Sequence, residues 1–190
     1  MSITIGSTGF ATYSNANYAL DFTGLAVKAY TASLTDANTV LLSPVNQVPA
    51  GEGVLLKGTQ GDYEVPVIAS ADALVGNLLK ASKDEVIAAS TDDLYHYVLA
   101  NGANGVGFYN VARPRNIGAG KAYLETTTAL ADQSTTARVA WTFADEDITG
   151  ISDVNRETVS SDRIYNVNGQ AVMAPQKGLY IMNGKKVLVK

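Results

Sequence analysis

Short runs rich in apolar residues, separated by polar turn residues, occupy most of the chain. Each run has six or seven residues, is rich in β-branched or aromatic side chains, and ends at Gly, Asn, Asp or Pro. Runs of this length and composition, bounded by turn residues, predict β-strands, in which successive side chains point to opposite faces of a sheet. The predicted strands are 26–32, 39–45, 53–58, 63–69, 94–100, 106–112, 121–127 and 138–143.

One segment departs from this pattern. Residues 70–90 place Ala73, Leu74, Leu78 and Ala81 at helical spacing, but Gly76 interrupts them. Glycine in a helix interior costs about 1 kcal/mol relative to alanine. We therefore expect a short helical turn or an irregular crossover here, and no long helix.

Two decapeptides are similar to each other. "VPAGEGVLLK" (48–57) and "IGAGKAYLET" (117–126) each place Ala-Gly before a strand, and each follows an aromatic strand upstream. Two related β-units facing each other would form a two-sheet core or a barrel. The sequence thus predicts an all-β fold, as a two-sheet β-sandwich or, alternatively, a β-barrel.

The final residues form a separate pattern of two hairpins. Apolar runs flank Asn168-Gly169 and Asn183-Gly184, and Asn-Gly favours the two-residue hairpin turn. We expect a small β-meander with strands at 163–167, 170–173, 179–182 and 185–190.

Charge separates this tail from the rest of the chain. Residues 163–190 hold five basic and no acidic residues, which leaves −9 for residues 1–162 because the whole chain carries −4. Between them, 145–162 contains six acids and few large apolar residues, which is typical of a linker. The predicted organisation is a β-module at 1–144, an acidic linker at 145–162 and a β-appendage at 163–190.

Composition excludes several kinds of chemistry. The absence of cysteine excludes disulfides and Cys-ligated zinc or iron–sulfur sites. A sequence pI near 4.9 argues against nucleic-acid binding. No apolar run approaches the roughly 20 residues that a membrane-spanning helix needs, so we expect no membrane span.

Candidate catalytic and metal-binding residues all lack part of their pattern. His96 is the only histidine, without an orienting carboxylate nearby in sequence, and is expected to be half-exposed on a strand. Residues 145–150 resemble the start of a calcium loop, but its twelfth position is Arg156. Residues 115–122 have Arg115 and Ala122 where a phosphate loop needs Gly and Ser/Thr.

Asp92-Asp93 has no identifiable carboxylate partner and is expected in a turn. We therefore predict no catalytic residues, no metal site, no cofactor and no enzymatic activity.

Aromatic residues are the remaining candidates for ligand binding. Tyrosine and tryptophan rings can stack on apolar sugar faces, although half-buried core residues explain the same pattern. The possible ligand platform is Tyr95, Tyr97, Tyr109 and Trp141.

The tail resembles a known export signal. The matching frame contains a tyrosine and an Asn-Gly pair, then Lys-Gly-x-Tyr, then Asn-Gly-Lys-Lys. Its residues are Tyr165, Asn168, Gly169, Lys177, Gly178, Tyr180, Asn183, Gly184, Lys185 and Lys186. This ending is similar to the terminal part of the type A sorting domain that the type IX secretion system reads in Bacteroidetes, although it is shorter than a complete one. Residues 48–58 and 107–124 are similar, more loosely, to β-modules that precede such tails.

The resemblance implies an extracytoplasmic location, secreted or at the cell surface. It implies a structural or adhesive module whose partners are other domains of a larger surface protein, and the export machinery through the tail. Alternatively, the tail packs on the main domain as an appendage. The alternative function is a carbohydrate-binding module of a polysaccharide-utilising system, with glycans as partners.

Overall fold

The computed structural model describes residues 1–35, 38–145, 164–166, 171–172, 177–182 and 185–189. The chain separates into two compact units, Met1–Asp147 and Ile148–Lys190. The described residues form strands, turns and irregular segments without a helix, and none of their sheets closes on itself. The fold is therefore all-β and sandwich-like, and the barrel alternative is not found in the described part of the chain.

The described residues of the first unit form sixteen strands. They are β1 (Ser2–Ile5), β2 (Phe10–Ser14), β3 (Ala19–Asp21), β4 (Lys28–Leu34), β5 (Val40–Val45), β6 (Gln47–Val48), β7 (Gly53–Lys57), β8 (Gly61–Glu64), β9 (Val67–Ile68), β10 (Leu79–Ala81), β11 (Glu85–Ile87), β12 (Tyr95–Gly102), β13 (Gly105–Asn110), β14 (Arg115–Ile117), β15 (Ala122–Thr126) and β16 (Trp141–Phe143).

All eight predicted runs contain strands. The run 63–69 is divided between β8 and β9, because Pro66 has no N–H to donate to a neighbouring strand. The run 138–143 is shortened to β16.

Two sheets form the centre of this unit, and four equivalent strands are paired in the same order in each of them. One has the order β16-β5-β4-β7-β2, and the other has the order β10-β15-β12-β13. Read in chain order, β2 to β7 and β10 to β15 are six strands each, with equivalent pairings throughout. Even the small outer pairs correspond, because β3 pairs with β6 as β11 pairs with β14. The first unit is thus a topological repeat of one six-strand motif.

The register of the two halves agrees residue by residue. Tyr30 lies opposite Leu55 in the first half, and Tyr97 lies opposite Leu124 in the second. The similar decapeptides supply the same strand in each half, namely β7 and β15. Both are preceded by glycines with positive φ, 85° at Gly51 and 78° at Gly120, a backbone conformation that glycine adopts without strain.

The inner faces of both sheets form one hydrophobic core. Tyr30, Leu42 and Leu55 of the first half pack in one cluster with Tyr97, Phe108 and Leu124 of the second, and all six are at most 1% exposed. Burying a large apolar side chain contributes roughly 1.5–3 kcal/mol, so this shared core is the main attraction between the halves.

The outer faces are covered unequally. The β1–β8 pair places Ile3 and Ile5 in a second cluster with Ala29 and Leu56 on the outer face of the first sheet. The outer face of the second sheet carries a smaller cluster of Ile87, Val98, Val111 and Tyr123.

The crossover between the halves is irregular. Residues 70–78 form no helix, as expected for an irregular crossover, and the short strands β10 and β11 follow within the predicted exception at 70–90. Asn77, 8% exposed, accepts hydrogen bonds from the backbone N–H groups of Ala32 and Leu79 and donates to the carbonyl of Gly53 at 2.8 Å. These bonds join β4, β7 and β10, so one amide side chain connects strands of both halves.

The second unit has a four-stranded antiparallel sheet. Its strands are β17 (Ile164–Asn166), β18 (Ala171–Val172), β19 (Gly178–Met182) and β20 (Lys185–Val189). The order is β18-β17-β19-β20, so the predicted meander is wrong: β17 lies between β18 and β19. The two-residue β18 is too short for a central position, whereas β17 pairs with both neighbours.

The boundary between the units falls within the range predicted as an acidic linker. Of residues 145–162, only Asp145 is described. Both Asn-Gly pairs also lie outside the described residues. The pairing of Met182 with Lys185 leaves two residues between β19 and β20.

Gly53 is expected to tolerate no side chain. A Cβ there would lie 2.7 Å from the Ala122 Cβ and 2.9 Å from the Lys80 carbonyl carbon. Such overpacking typically costs 1–3 kcal/mol, so Gly53→Ala should lower the free energy of unfolding by about that amount in urea titration. The control is Gly6→Ala, because a Cβ at Gly6 meets nothing within 4 Å. A Gly53→Ala variant as stable as the Gly6→Ala variant would contradict the close approach of β7 and β15.

Candidate functional site

The four predicted platform residues do not share an exposed surface. Tyr97 is fully buried and Tyr109 is 5% exposed, while Tyr95 and Trp141 are half-buried. Tyr95, Tyr97 and Trp141 belong to the shared core, whereas Tyr109 pairs with Val98, on the opposite face of the sheet. Stacking on a sugar requires an exposed ring face, so these residues act in packing.

Tyr97 makes a buried hydrogen-bond network. Its hydroxyl accepts from the backbone N–H of Leu130 at 2.7 Å and donates to the carbonyl of Leu130 at 3.1 Å. Gln133 Nε2 also donates to it, at 3.2 Å. The tyrosine therefore fixes the segment that follows β15 onto the second sheet.

His96 is buried, and the expectation of a half-exposed residue is wrong. Its Nε2 lies 3.4 Å from Glu125 Oε2, and its Nδ1 lies 3.1 Å from the Ala88 carbonyl oxygen. The carboxylate that the sequence did not reveal lies directly across the strand pair β12–β15. The ring also meets Tyr123 edge-on at 5.7 Å. Burial, Glu125 and Glu85 together raise the pKa of Tyr123, which keeps the phenol neutral.

In the first half, Ala29 and Leu56 occupy the positions equivalent to His96 and Glu125. The β1–β8 pair covers that apolar pair. At the equivalent positions of the second half, Tyr123 and the backbone at Ala88 contact the buried His96 ring, and the Glu125 side chain is partly exposed.

The other candidates lie apart from one another. Asp92 and Asp93 are exposed in the bend before β12, as expected. Residues 115–122 form β14 and the turn at Gly120, followed by β15. Of the calcium-like loop, only Asp145 is described; Asp147, Thr149 and Gly150 lie outside the described residues. Among described side chains, no group of three or more His, Asp or Glu is placed to hold a metal ion.

The tail residues can be placed only by strand. Tyr165 lies in β17, Gly178 and Tyr180 in β19, and Lys185 and Lys186 in β20, while Lys177 directly precedes β19. Within the described stretches, no helix has the length and apolar character required to cross a bilayer.

An aromatic groove lies beside β2, β4 and β7. It has a volume of about 430 Å³, and Phe10, Tyr30, Lys28, Lys57 and Asp145 are among its lining residues. Phe143 packs beside it, 4.9 Å from Tyr30 and 6.1 Å from Phe10 between ring centroids. The Lys57 ammonium lies 4.2 Å from the Phe143 ring centroid and 5.9 Å from that of Phe10. A cation already occupies the ring faces, so this groove is a poor stacking site for a sugar.

Asp145 is held at the rim of this groove. Its Oδ2 accepts hydrogen bonds from Lys28 Nζ at 2.7 Å and from the Tyr30 hydroxyl at 3.2 Å. The hydrogen bond from Lys28 is the largest cause that lowers the pKa of Asp145 below its ordinary 3.8. This ion pair attaches the chain just after β16 to β4.

A second groove, the arginine groove, lies on the outer face of the second sheet. Its volume is about 540 Å³, and it is lined by Val98, Ala100, Gly102, Tyr109, Asn110, Val111, Ala112, Arg113, Arg115 and Thr135. Arg113 and Arg115 are exposed, and neither guanidinium group has a side-chain hydrogen bond or ion pair within the described residues. The small side chain of Ala100 and the absence of one at Gly102 leave the depression, and the Tyr109 ring lies against Gly102.

Sequence reasoning missed both the His96–Glu125 pair and this groove. Glu125 follows the buried Tyr123 by two residues and so lies on the same face of β15. Aligning β15 with β12 would have placed Glu125 opposite His96. The only sequence signal for the groove is Arg113-Pro114-Arg115, which places two like charges two residues apart.

Comparisons with known proteins return nothing: no family model matches the chain, and neither a curated protein nor a solved structure is significantly similar to it.

Removing the Tyr97 hydroxyl should destabilise the first unit. Tyr97→Phe leaves the buried Leu130 N–H without its acceptor, at a cost of about 1–3 kcal/mol. Tyr95→Phe is the matched control, because the Tyr95 hydroxyl donates to the Asp92 carbonyl at the surface. Urea unfolding followed by tyrosine and tryptophan fluorescence measures both. Equal losses in the two variants would contradict the network.

The contribution of Asp145 to stability should depend on pH. Because its pKa is lowered in the folded protein, the carboxylate stabilises the fold above its ordinary pKa of 3.8, and this contribution disappears as pH falls through the lowered value. Asp145→Asn should cost about 0.2–1 kcal/mol near neutral pH, as an exposed ion pair does, and nothing in strong acid. Urea unfolding across this pH range measures the difference, with Asp93→Asn as the control. A penalty for Asp145→Asn that persists unchanged in strong acid would exclude the ion pair as its cause.

Proposed function

We propose that this protein is a non-enzymatic β-module of the bacterial cell surface or secreted fraction, with a structural or adhesive role and a C-terminal export or anchoring unit. Its partners are other domains of a larger surface protein, and the export machinery through residues 163–190.

The observation that carries the proposal is the independence of the tail. Residues 148–190 form a compact unit apart from residues 1–147, and their described strands make a sheet of their own. An address read by an export machine must be accessible as a separate unit, and an appended sheet suits that role. The resemblance of the tail to the type A sorting domain supports the same conclusion.

A structural role agrees with how the first unit uses its polar side chains. His96 bonds to the Ala88 carbonyl and lies beside Glu125, Tyr97 fixes the segment at Leu130, and Asn77 joins the two halves. These groups hold the fold, and their hydrogen-bonding atoms face protein partners instead of a cleft.

Carbohydrate binding is the second candidate function. The arginine groove favours it, because the groove has a size typical of ligand sites and exposes two cationic side chains over an apolar floor.

Deleting the tail should abolish surface display. The full chain, fused behind an export signal peptide, would be expressed in a bacterium that has a type IX secretion system, and surface-exposed protein would be measured by protease shaving and immunoblotting. The full chain should appear outside the cell, and a variant lacking residues 163–190 should be retained within it.

A control variant carries the same 28 residues in shuffled order. It keeps length and charge but removes the hairpin and motif positions, and it should be retained like the deletion. Thermal melting of the deletion variant should show the transition of the first unit unchanged, since residues 1–147 have their own core. Undiminished surface display of the deletion variant would refute the export role.

A further inference from the structure

The arginine groove has the chemistry of a site for a sparsely charged polyanion. Arg113 and Arg115 both line it, and none of its ten lining residues within the described chain is acidic. This local excess of positive charge occurs in a protein of net charge −4. Clefts lined by one sign of charge over an apolar floor concentrate ligands of the opposite sign.

The two guanidinium groups suit carboxylates. Arginine presents a planar set of donors that binds a carboxylate through two parallel hydrogen bonds. Arg113 lies in a bend and Arg115 begins β14 two residues later, and both residues line the groove. A polymer that carries one carboxylate per repeating unit can meet both.

The floor of the groove suits a sugar ring. Its apolar lining consists of the half-buried Ala100 and the exposed Ala112 beside the buried Val98 and Val111, and Thr135 places a hydroxyl among the lining residues. A sugar acid combines the apolar ring face, the hydroxyl groups and the carboxylate that these residues complement.

Two other polyanions fit less well. An acidic peptide that adds to a sheet needs a free strand edge, but β13 is already bridged at Tyr109 by Arg138, and β10 at Lys80 by Glu52. A nucleic acid carries a dense row of phosphates, which a chain with a pI near 4.9 repels outside the groove.

We propose that the arginine groove binds an anionic polysaccharide of the uronic acid class, with Arg113 and Arg115 as the carboxylate ligands. This inference deepens the second candidate function and rests on it. It requires nothing of the tail, so its test with purified protein is independent of the export experiment.

Isothermal titration calorimetry on the purified full chain at low ionic strength provides the test, with an oligogalacturonate as the probe. The fully methyl-esterified form of the same oligomer is the matched ligand control, because it keeps the sugar and removes the charge. We expect the acid form to bind and the ester to bind at least about tenfold more weakly, since hydrogen bonds to charged groups are worth more than neutral ones.

The protein variants separate the groove from general charge. Arg113→Gln with Arg115→Gln should weaken binding by about tenfold or more, because both charge-assisted contacts are lost. Lys80→Gln with Lys83→Gln removes the same charge from two exposed positions outside the groove and should leave binding unchanged. Thermal melts verify that both variants remain folded.

Three results would overturn the proposal. They are the absence of binding at millimolar oligomer, equal weakening in the two double variants, and binding of poly-glutamate or of a single-stranded oligonucleotide as tight as that of the oligogalacturonate. Neutral binding by the ester with the same affinity as the acid would leave a carbohydrate-binding module but would eliminate the role of the arginines.

Discussion

The close approach of β7 and β15 is the constraint on which the first unit depends. Gly53 stands opposite Ala122 with no room for another Cβ, and Asn77 joins β4, β7 and β10 beside it. Because the strands meet here, the inner faces of both sheets contribute to one core. Each half has the same six-strand topology, yet neither could bury Tyr30 or Tyr97 without the other.

The two outer faces then take different roles. Where the β1–β8 pair covers the first sheet, the outward positions of β4 and β7 are the apolar Ala29 and Leu56. On the second sheet the equivalent positions are His96 and Glu125, whose Nε2 and Oε2 atoms lie 3.4 Å apart. The same face carries the arginine groove. One topology thus supports a larger apolar cluster on the outer face of one half and an outer face that mixes a small apolar cluster with polar groups in the other.

The sequence predicted the long strands and missed what depends on pairing between them. Short apolar and aromatic runs bounded by turn residues located β4, β7, β12 and β15, because each buries apolar side chains in the core. Strands of two or three residues, such as β6 and β9, carry too few positions to show a period. The sequence also gives no information on which face of a sheet a second layer covers. It therefore does not distinguish a buried position from an exposed one at Tyr97 and Tyr109. Glu125 lies 29 positions after His96 in sequence, and only the register of β12 with β15 brings the two together.

The central claim is that residues 1–147 fold as one cooperative unit built on a shared core. Native-state amide hydrogen exchange on the full chain tests it most directly, because exchange reports the free energy of opening strand by strand. The account predicts that the slowest amides of β4 and β7 open with the same free energy as those of β12 and β15. If the free energy of opening were lower for the amides of one half than for those of the other by roughly 2 kcal/mol or more, the halves would be separate folding units and the claim would fail.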